Sequence, residues 1–223
     1  MKKIIGLLVL CFAFSFSGQS QVVNVAGNND YQMAFIPGKV VDNSEEFKKI
    51  AHKMYSTTKY LPAQVDGVKG EVYLRYNIYK DEMEFLRNEE LLNLRKVEDK
   101  KITFKLSKKE YQILELNGNL KYFRTHNKGK NVLVSRKIVE YQKAKPAASS
   151  YQNAKPANFK RKSDEIFINF EGKGLVKVSK KKKKFYTIFG KNASKIKDFV
   201  KKNKLNIKEI SDLKKIVEHY NSI

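Results

Sequence analysis

The stretch Gly70-Glu71-Val72-Tyr73-Leu74-Arg75-Tyr76-Asn77-Ile78-Tyr79-Lys80-Asp81-Glu82-Met83-Glu84-Phe85 decides how the chain folds. Val72, Leu74, Tyr76 and Ile78 alternate with Tyr73, Arg75, Asn77 and Tyr79, and a period of two marks a half-buried strand. Lys80-Asp81 turns the chain, and Met83 and Phe85 resume the apolar face. A two-residue turn sets Ile78 opposite Met83 and Tyr76 opposite Phe85, with Asn77 facing Glu84 and Arg75 diagonal to that carboxylate. The expectation is a structural hairpin of Arg75, Tyr76, Asn77, Ile78, Met83 and Glu84. It nucleates an antiparallel sheet and is not an active site.

Upstream, Ser44 before Glu45-Glu46 reads as a helix cap with acidic residues in the first turn. Phe47, Ile50, Ala51 and Met54 follow at helical spacing, so a helix is expected from Asp42-Asn43-Ser44 to about Tyr55. Before it, Val22 to Val25 and Tyr31 to Ile36 flank the loop chemistry of Gly27-Asn28-Asn29-Asp30, as two short strands or as a leader.

Downstream come further strand candidates: Leu91 to Leu94, Ile102 to Leu106, Tyr111 to Leu116, Leu120 to Thr125 and Asn131 to Tyr141. Asn117-Gly118 is the strongest hairpin signal among them, because a type I′ turn needs positive φ at both positions. Tyr141-Gln142-Lys143-Ala144-Lys145-Pro146-Ala147 then recurs as Tyr151-Gln152-Asn153-Ala154-Lys155-Pro156-Ala157. The prolines and the intervening Ala148-Ser149-Ser150 make residues 141–162 an expected extended loop. A motif that presents two Tyr-Lys-Pro faces to a partner is the functional alternative. Ile166 to Phe170 and Leu175 to Val178 form a last hairpin around Glu171-Gly172-Lys173-Gly174.

The end of the chain is helical and basic. Ser179 caps an expected helix through Phe185, Ile188 and Phe189, stopped at Gly190. A second starts at Asn192 or Ser194, with Ile196, Phe199 and Val200 on one face. A third carries Ile210, Leu213, Ile216, Val217 and Tyr220 at spacings of three and four. The expected class is α+β: an antiparallel meander of about seven to nine strands, with an N-terminal helix and two or three C-terminal helices. Curling of the sheet into a half-barrel stays open. The expected division is a leader at 1–20, a body at 21–178 and a basic helical segment at 179–223.

Composition bounds the function. Lys2 and Lys3, the apolar run Ile4 to Phe16, and Ser15, Ser17, Gly18 and Ser20 have the form of a secretory signal peptide. Cys11 lies in that run and is the single cysteine of the 223 residues. The mature chain then has no disulfide, thiol nucleophile or cysteine metal ligand. Lysine and arginine number 46 against 23 acidic residues, a net charge of +23, which becomes +21 without Lys2 and Lys3. Such a balance attracts polyanions. Export argues against nucleic acid as the native partner and points to anionic lipid, lipopolysaccharide, an acidic glycan or an envelope protein. The plainer reading is lysine spread over a solvated surface.

The segment Gly70 to Tyr79 with Met83-Glu84, together with Val176-Lys177-Val178, the lysine cluster, Ile196 to Leu205 and Asp212-Leu213 to Tyr220-Asn221, resembles a group of exported proteins of Bacteroidetes-type bacteria. The resemblance implies an envelope location, in the periplasm, at the outer membrane or secreted, and a sheet-then-helices order. It carries no activity and transfers no functional residue.

No nucleophile elbow or phosphate-binding glycine loop occurs. His52, His126 and His219 lie in different expected elements, so neither a metal site nor a cofactor is expected. Glu82 and Glu84 share a strand face as a glycosidase pair would, and read more simply as partners of Arg75 and Arg87. Tyr73, Tyr76, Tyr79, Tyr111 and Tyr122 suit a stacking platform or, more simply, sheet packing. The sharpest binding candidate is Lys180, Lys181, Lys182, Lys183 and Lys184 with Tyr186, although consecutive helical residues point all round the axis. The expected function is therefore a non-enzymatic binding or structural module of the bacterial envelope. The alternative is a carrier of a lipid or other apolar ligand in a curled sheet.

Overall fold

The structure, a computed structural model, describes residues 34–39, 44–147 and 153–223. The expected signal segment, Val22 to Val25, Asp42-Asn43 and Ser149-Ser150 lie outside the described residues. Thirteen strands are present among those described, more than expected, and eleven of them form one antiparallel sheet. Its order is β1 (Phe35–Pro37), β5 (Glu90–Leu94), β4 (Glu82–Arg87), β3 (Val72–Asn77), β2 (Leu61–Val65), β6 (Lys101–Phe104), β7 (Glu110–Leu116), β8 (Asn119–Thr125), β9 (Val132–Arg136), β12 (Glu165–Phe170) and β13 (Gly174–Lys177). The meander is in two runs: β2 to β5 proceeds one way, and β6 returns to the far side of β2. The fold is α+β, as expected, with the sheet curled into a half-barrel.

The central hairpin forms, in a different register. Arg75 lies directly opposite Glu84, Tyr76 opposite Met83 and Asn77 opposite Glu82. The connection is thus four residues, Ile78 to Asp81, and not the two-residue turn. Ile78 never reaches Met83, because its N–H donates to the Met54 carbonyl at 2.7 Å and the Ser56 N–H donates to Tyr76 O at 2.9 Å. The Asn77 side chain accepts from Lys80 N at 3.1 Å, and Asp81 takes φ of 58°. A shift of two residues preserves every side chain's face, so the polar and apolar sides stay as expected.

Curling shows in side chains that meet across several strands. Tyr76 of β3 lies 5.5 Å from Tyr111 of β7 and 5.8 Å from Tyr122 of β8, centroid to centroid. Tyr122 Oη donates to the Leu94 carbonyl of β5 at 3.1 Å. Asp81 folds inward and accepts from Tyr76 Oη at 2.7 Å, with Lys96 Nζ at 3.2 Å. The concave face is filled: Met54, Leu74, Ile102, Ile113 and Tyr122 are each at most 1 % exposed. Helix α1 (Glu45–Ala51), capped by Ser44 Oγ accepting from Phe47 N at 3.2 Å, packs Phe47 and Ile50 against this core.

Among the described residues of 141–162, the ends of the expected extended loop are paired. β10 (Val139–Gln142) pairs with β11 (Asn158–Arg161) as a separate ribbon. Its root is fixed by Phe159, whose ring lies 5.6 Å from Phe47 and 5.0 Å from Tyr79.

Three C-terminal helices close the fold: α2 (Lys182–Thr187), α3 (Ala193–Lys202) and α4 (Ile210–Asn221). Helix α2 starts later than expected and Ser179 does not cap it; Ser179 Oγ accepts from Lys181 N instead. The apolar stripes dock on the sheet, joining Leu133, Ile168 and Phe170 to Phe185, Phe189, Ile196, Leu213, Ile216 and Val217 in a second core. Asn221, the last residue of α4, accepts from Asn131 N at 2.9 Å and donates to Asn131 O at 2.8 Å. Gly129 takes φ of 123° beneath it, and a Cβ there would lie 2.6 Å from the Asn221 amide nitrogen. That site needs glycine twice over. On the sheet's other face Leu114, Phe123, Val134 and Phe167 make a third, smaller cluster.

Candidate functional site

The lysine run is split by the helix that carries it. Lys180 turns to a pocket of about 370 Å³ with Asp164, Glu165 and Lys208. Lys181 caps α2 through its backbone, and Lys184 is exposed. Only Lys182 and Lys183, with Tyr186, face the larger cleft of about 770 Å³. The rest of that cleft's charge comes from residues the sequence reading did not single out: Lys197, Lys201 and Lys204. Their spacing of four and three along and just beyond α3 was the available signal.

Local chemistry explains why these side chains converge. Phe185 is fully buried between Tyr186 (5.3 Å) and Phe189 (5.4 Å), which turns its neighbours Lys182 and Lys183 outward. Helix α3 buries Ile196 and Val200 and leaves Lys197 and Lys201 on the adjoining flank. It ends in a Schellman turn, with Leu205 N donating to Val200 O at 3.0 Å and Lys204 N to Lys201 O at 3.2 Å. Lys204 occupies the left-handed position of that turn with φ of 52°, where glycine is preferred and a side chain costs about 1 kcal/mol. The turn lays Leu205 and Ile207 along the floor beside Val200 and Tyr186. Asp212 accepts from Asn206 N at 2.9 Å and fixes the loop; this hydrogen bond holds its carboxyl below the usual range.

Among the described residues none of Lys182, Lys183, Lys197, Lys201 and Lys204 forms an ion pair, whereas Lys214 and Lys215 on α4 pair with Glu218 and Asp212. From Lys180 to the end, 14 lysines face four acidic residues, a net +10 in 44 residues. A concave surface of one sign focuses field and favours anions. Five ammonium donors over an apolar floor can hold phosphate or carboxylate groups and cover an adjoining apolar moiety.

The remaining candidates separate. Glu84 is 1 % exposed and bound by Arg75 Nη2 at 2.6 Å and Asn77 Nδ2 at 2.7 Å. The Arg75 guanidinium is stacked between the Tyr55 and Tyr60 rings at 3.9 and 4.5 Å. Burial and the Glu84 charge push the Tyr55 hydroxyl up to about 12. Glu82 pairs with Lys96 at 3.5 Å, so the two carboxylates answer to different cations. Of the tyrosines, Tyr76, Tyr111 and Tyr122 are core, while Tyr73 and Tyr79 are exposed. His52 and His219 lie on α1's 3-10 extension and on α4, and His219 stacks on Phe199 at 3.8 Å. No metal-binding group of three is present among the described residues.

His126 does have a partner: its Nε2 is 2.8 Å from Ser135 Oγ, and Ser135 is buried. Burial, then the charges of Arg124 and Lys214, bring the His126 imidazole down to about 4. It is a feeble base, and the hydroxyl is out of reach of a substrate. The depressed value has a consequence for stability. Below pH 6.5 the unfolded chain takes a proton that the folded one refuses, so this contribution is whole above 6.5 and is lost as pH falls toward 4. Denaturant unfolding of His126→Gln is expected to lack about 1–3 kcal/mol of the wild-type decline across that window. Parallel curves for the two proteins would contradict it.

Comparison with protein-family models, with curated proteins and with solved structures gives no match.

Proposed function

We propose that the chain is an exported binding module that engages an anionic component of the bacterial envelope through the helical cleft, without catalysis. The observation that carries this reading is the convergence of five lysines, none in an ion pair among the described residues, over an apolar floor. Lys204 supports it further, since a charge is kept where a glycine would relax the backbone. The carrier reading has no such support: Met54, Leu74 and Tyr122 occupy the concave face where a ligand would lie.

Binding of the mature chain to vesicles containing anionic phospholipid, and to a soluble polyanion, at low and physiological salt tests the proposal. Each lysine near an anionic surface contributes about 1 kcal/mol. Vesicle binding is expected to survive physiological salt. Lys204→Gly is expected to bind about fivefold more weakly while unfolding about 1 kcal/mol harder, opposite movements that a merely structural lysine would not give. Loss of all binding at physiological salt would reduce the charge to a nonspecific field.

A further inference from the structure

The ribbon brings the two copies of the near-repeat together at their Lys-Pro steps. Beyond Gln142 and Asn158 the ladder continues to Lys145 and Lys155, where each N–H donates to the other's carbonyl at 2.8 Å. The Lys-Pro step falls at the same place in both copies. A residue before proline is confined to extended backbone, so Pro146 and Pro156 hold both lysines in strand conformation. Directly opposed residues of an antiparallel pair project from one face with Cβ atoms about 5 Å apart. The two lysine side chains therefore leave the backbone side by side, and like charges directly opposed are destabilising.

Lys143, two residues before Lys145, shares their face; Lys160, opposite Glu140 and so on the ribbon's other face, lines the same cleft of about 390 Å³ with Gln142 and Pro156. Among the described residues none of these four lysines forms an ion pair. The ribbon's ion pair, Lys162 with Glu140 at 3.0 Å, uses neither of the opposed lysines. The base of the ribbon is held by Lys53 Nζ donating to Asn158 at 2.7 Å and Arg161 donating to Tyr55 O at 3.3 Å. The opposed pair is thus mounted on fixed backbone.

We propose that Lys145 and Lys155, with Lys143 on the same face, form a second anion site, separate from the helical cleft, that takes a phosphate-class oxyanion bearing two or more negative charges. Pro156 is the one apolar residue that lines the site, too little to seat an acyl chain. Lysine acts as a point charge without the planar fork that reads carboxylates. The site therefore ranks ligands by charge density: pyrophosphate above inorganic phosphate above acetate. A bound dianion cancels the repulsion that the repeat builds in.

Amide NMR of the full mature chain titrated with pyrophosphate at physiological salt tests this, with inorganic polyphosphate as the arm that separates a free ligand from a polymer-borne one. Saturable shifts are expected at residues 143–145 and 155–160. Lys145→Gln/Lys155→Gln is expected to weaken them at least about tenfold, and Lys197→Glu/Lys201→Glu to leave them unchanged. Failure to saturate, or insensitivity to the ribbon double variant, overturns the proposal, whatever the helical cleft does. Lys155→Glu supplies an independent check, since an ion pair with Lys145 should slow amide exchange at Lys145 about two- to fivefold. Unchanged or faster exchange would mean that the opposed lysines do not repel, and would overturn the site.

Discussion

Glu84→Ala is expected to lower the unfolding free energy by about 3–5 kcal/mol. The Glu84 carboxylate accepts from Arg75 through Nε at 3.1 Å and Nη2 at 2.6 Å, and from Asn77 Nδ2 at 2.7 Å. Asn77 is fully buried and the Arg75 side chain is 18 % exposed, stacked on two aromatic rings. Truncating the acid strands a guanidinium and a carboxamide in a place water scarcely reaches, and that desolvation is the larger part of the loss. Replacing both charges with apolar residues of similar volume should recover most of it, because a buried pair contributes little beyond a well-packed apolar pair. Urea unfolding at neutral pH measures both. A loss below about 1 kcal/mol for Glu84→Ala would mean the pair is effectively solvated.

Phe185→Ala is expected to cost a similar amount, about 3–5 kcal/mol, and to weaken anion binding as well. Helix α2 is six residues long, too short to hold itself together. Its conformation depends on Phe185, which packs edge-on against Phe189 and Tyr186. Loss of that anchor frees Lys182 and Lys183 from the cleft rim. Leu114→Ala provides the contrast, since Leu114 belongs to the cluster on the other face of the sheet. It should destabilise the fold and leave the affinity of the remaining folded protein unchanged. Equal losses of affinity in the two variants would show that the cleft does not depend on α2.

Much of the architecture was legible because it rests on local chemistry. Asn117 and Gly118 adopt φ of 52° and 75°, and the hairpin they form pairs Leu116 with Asn119. The stripe Leu213, Ile216 and Val217 is buried as its spacing required. The register of the central hairpin was not legible, because it is decided by the Met54 carbonyl, 24 residues before Ile78 and invisible to a period-two argument. The same limit hid the return of β6 to β2 and the pairing of the two Lys-Pro copies, which are contacts between distant segments. At the cleft, the run Lys180 to Lys184 drew attention by being consecutive, yet consecutive residues diverge on a helix. Lys197, Lys201 and Lys204 are scattered in sequence and meet Lys182 and Lys183 only once α2 and α3 pack.

The most direct measurement is the affinity of Lys197→Glu/Lys201→Glu for anionic vesicles at physiological salt, set against Lys59→Glu/Lys69→Glu. The second pair consists of exposed lysines flanking β2 on the half-barrel, and both variants change net charge equally. If the cleft is the binding surface, the first variant should bind at least about 30-fold more weakly than wild type, from about 1 kcal/mol per lysine, and the second nearly as well as wild type. Equal weakening in both would mean that binding follows net charge alone, and the cleft would lose its role.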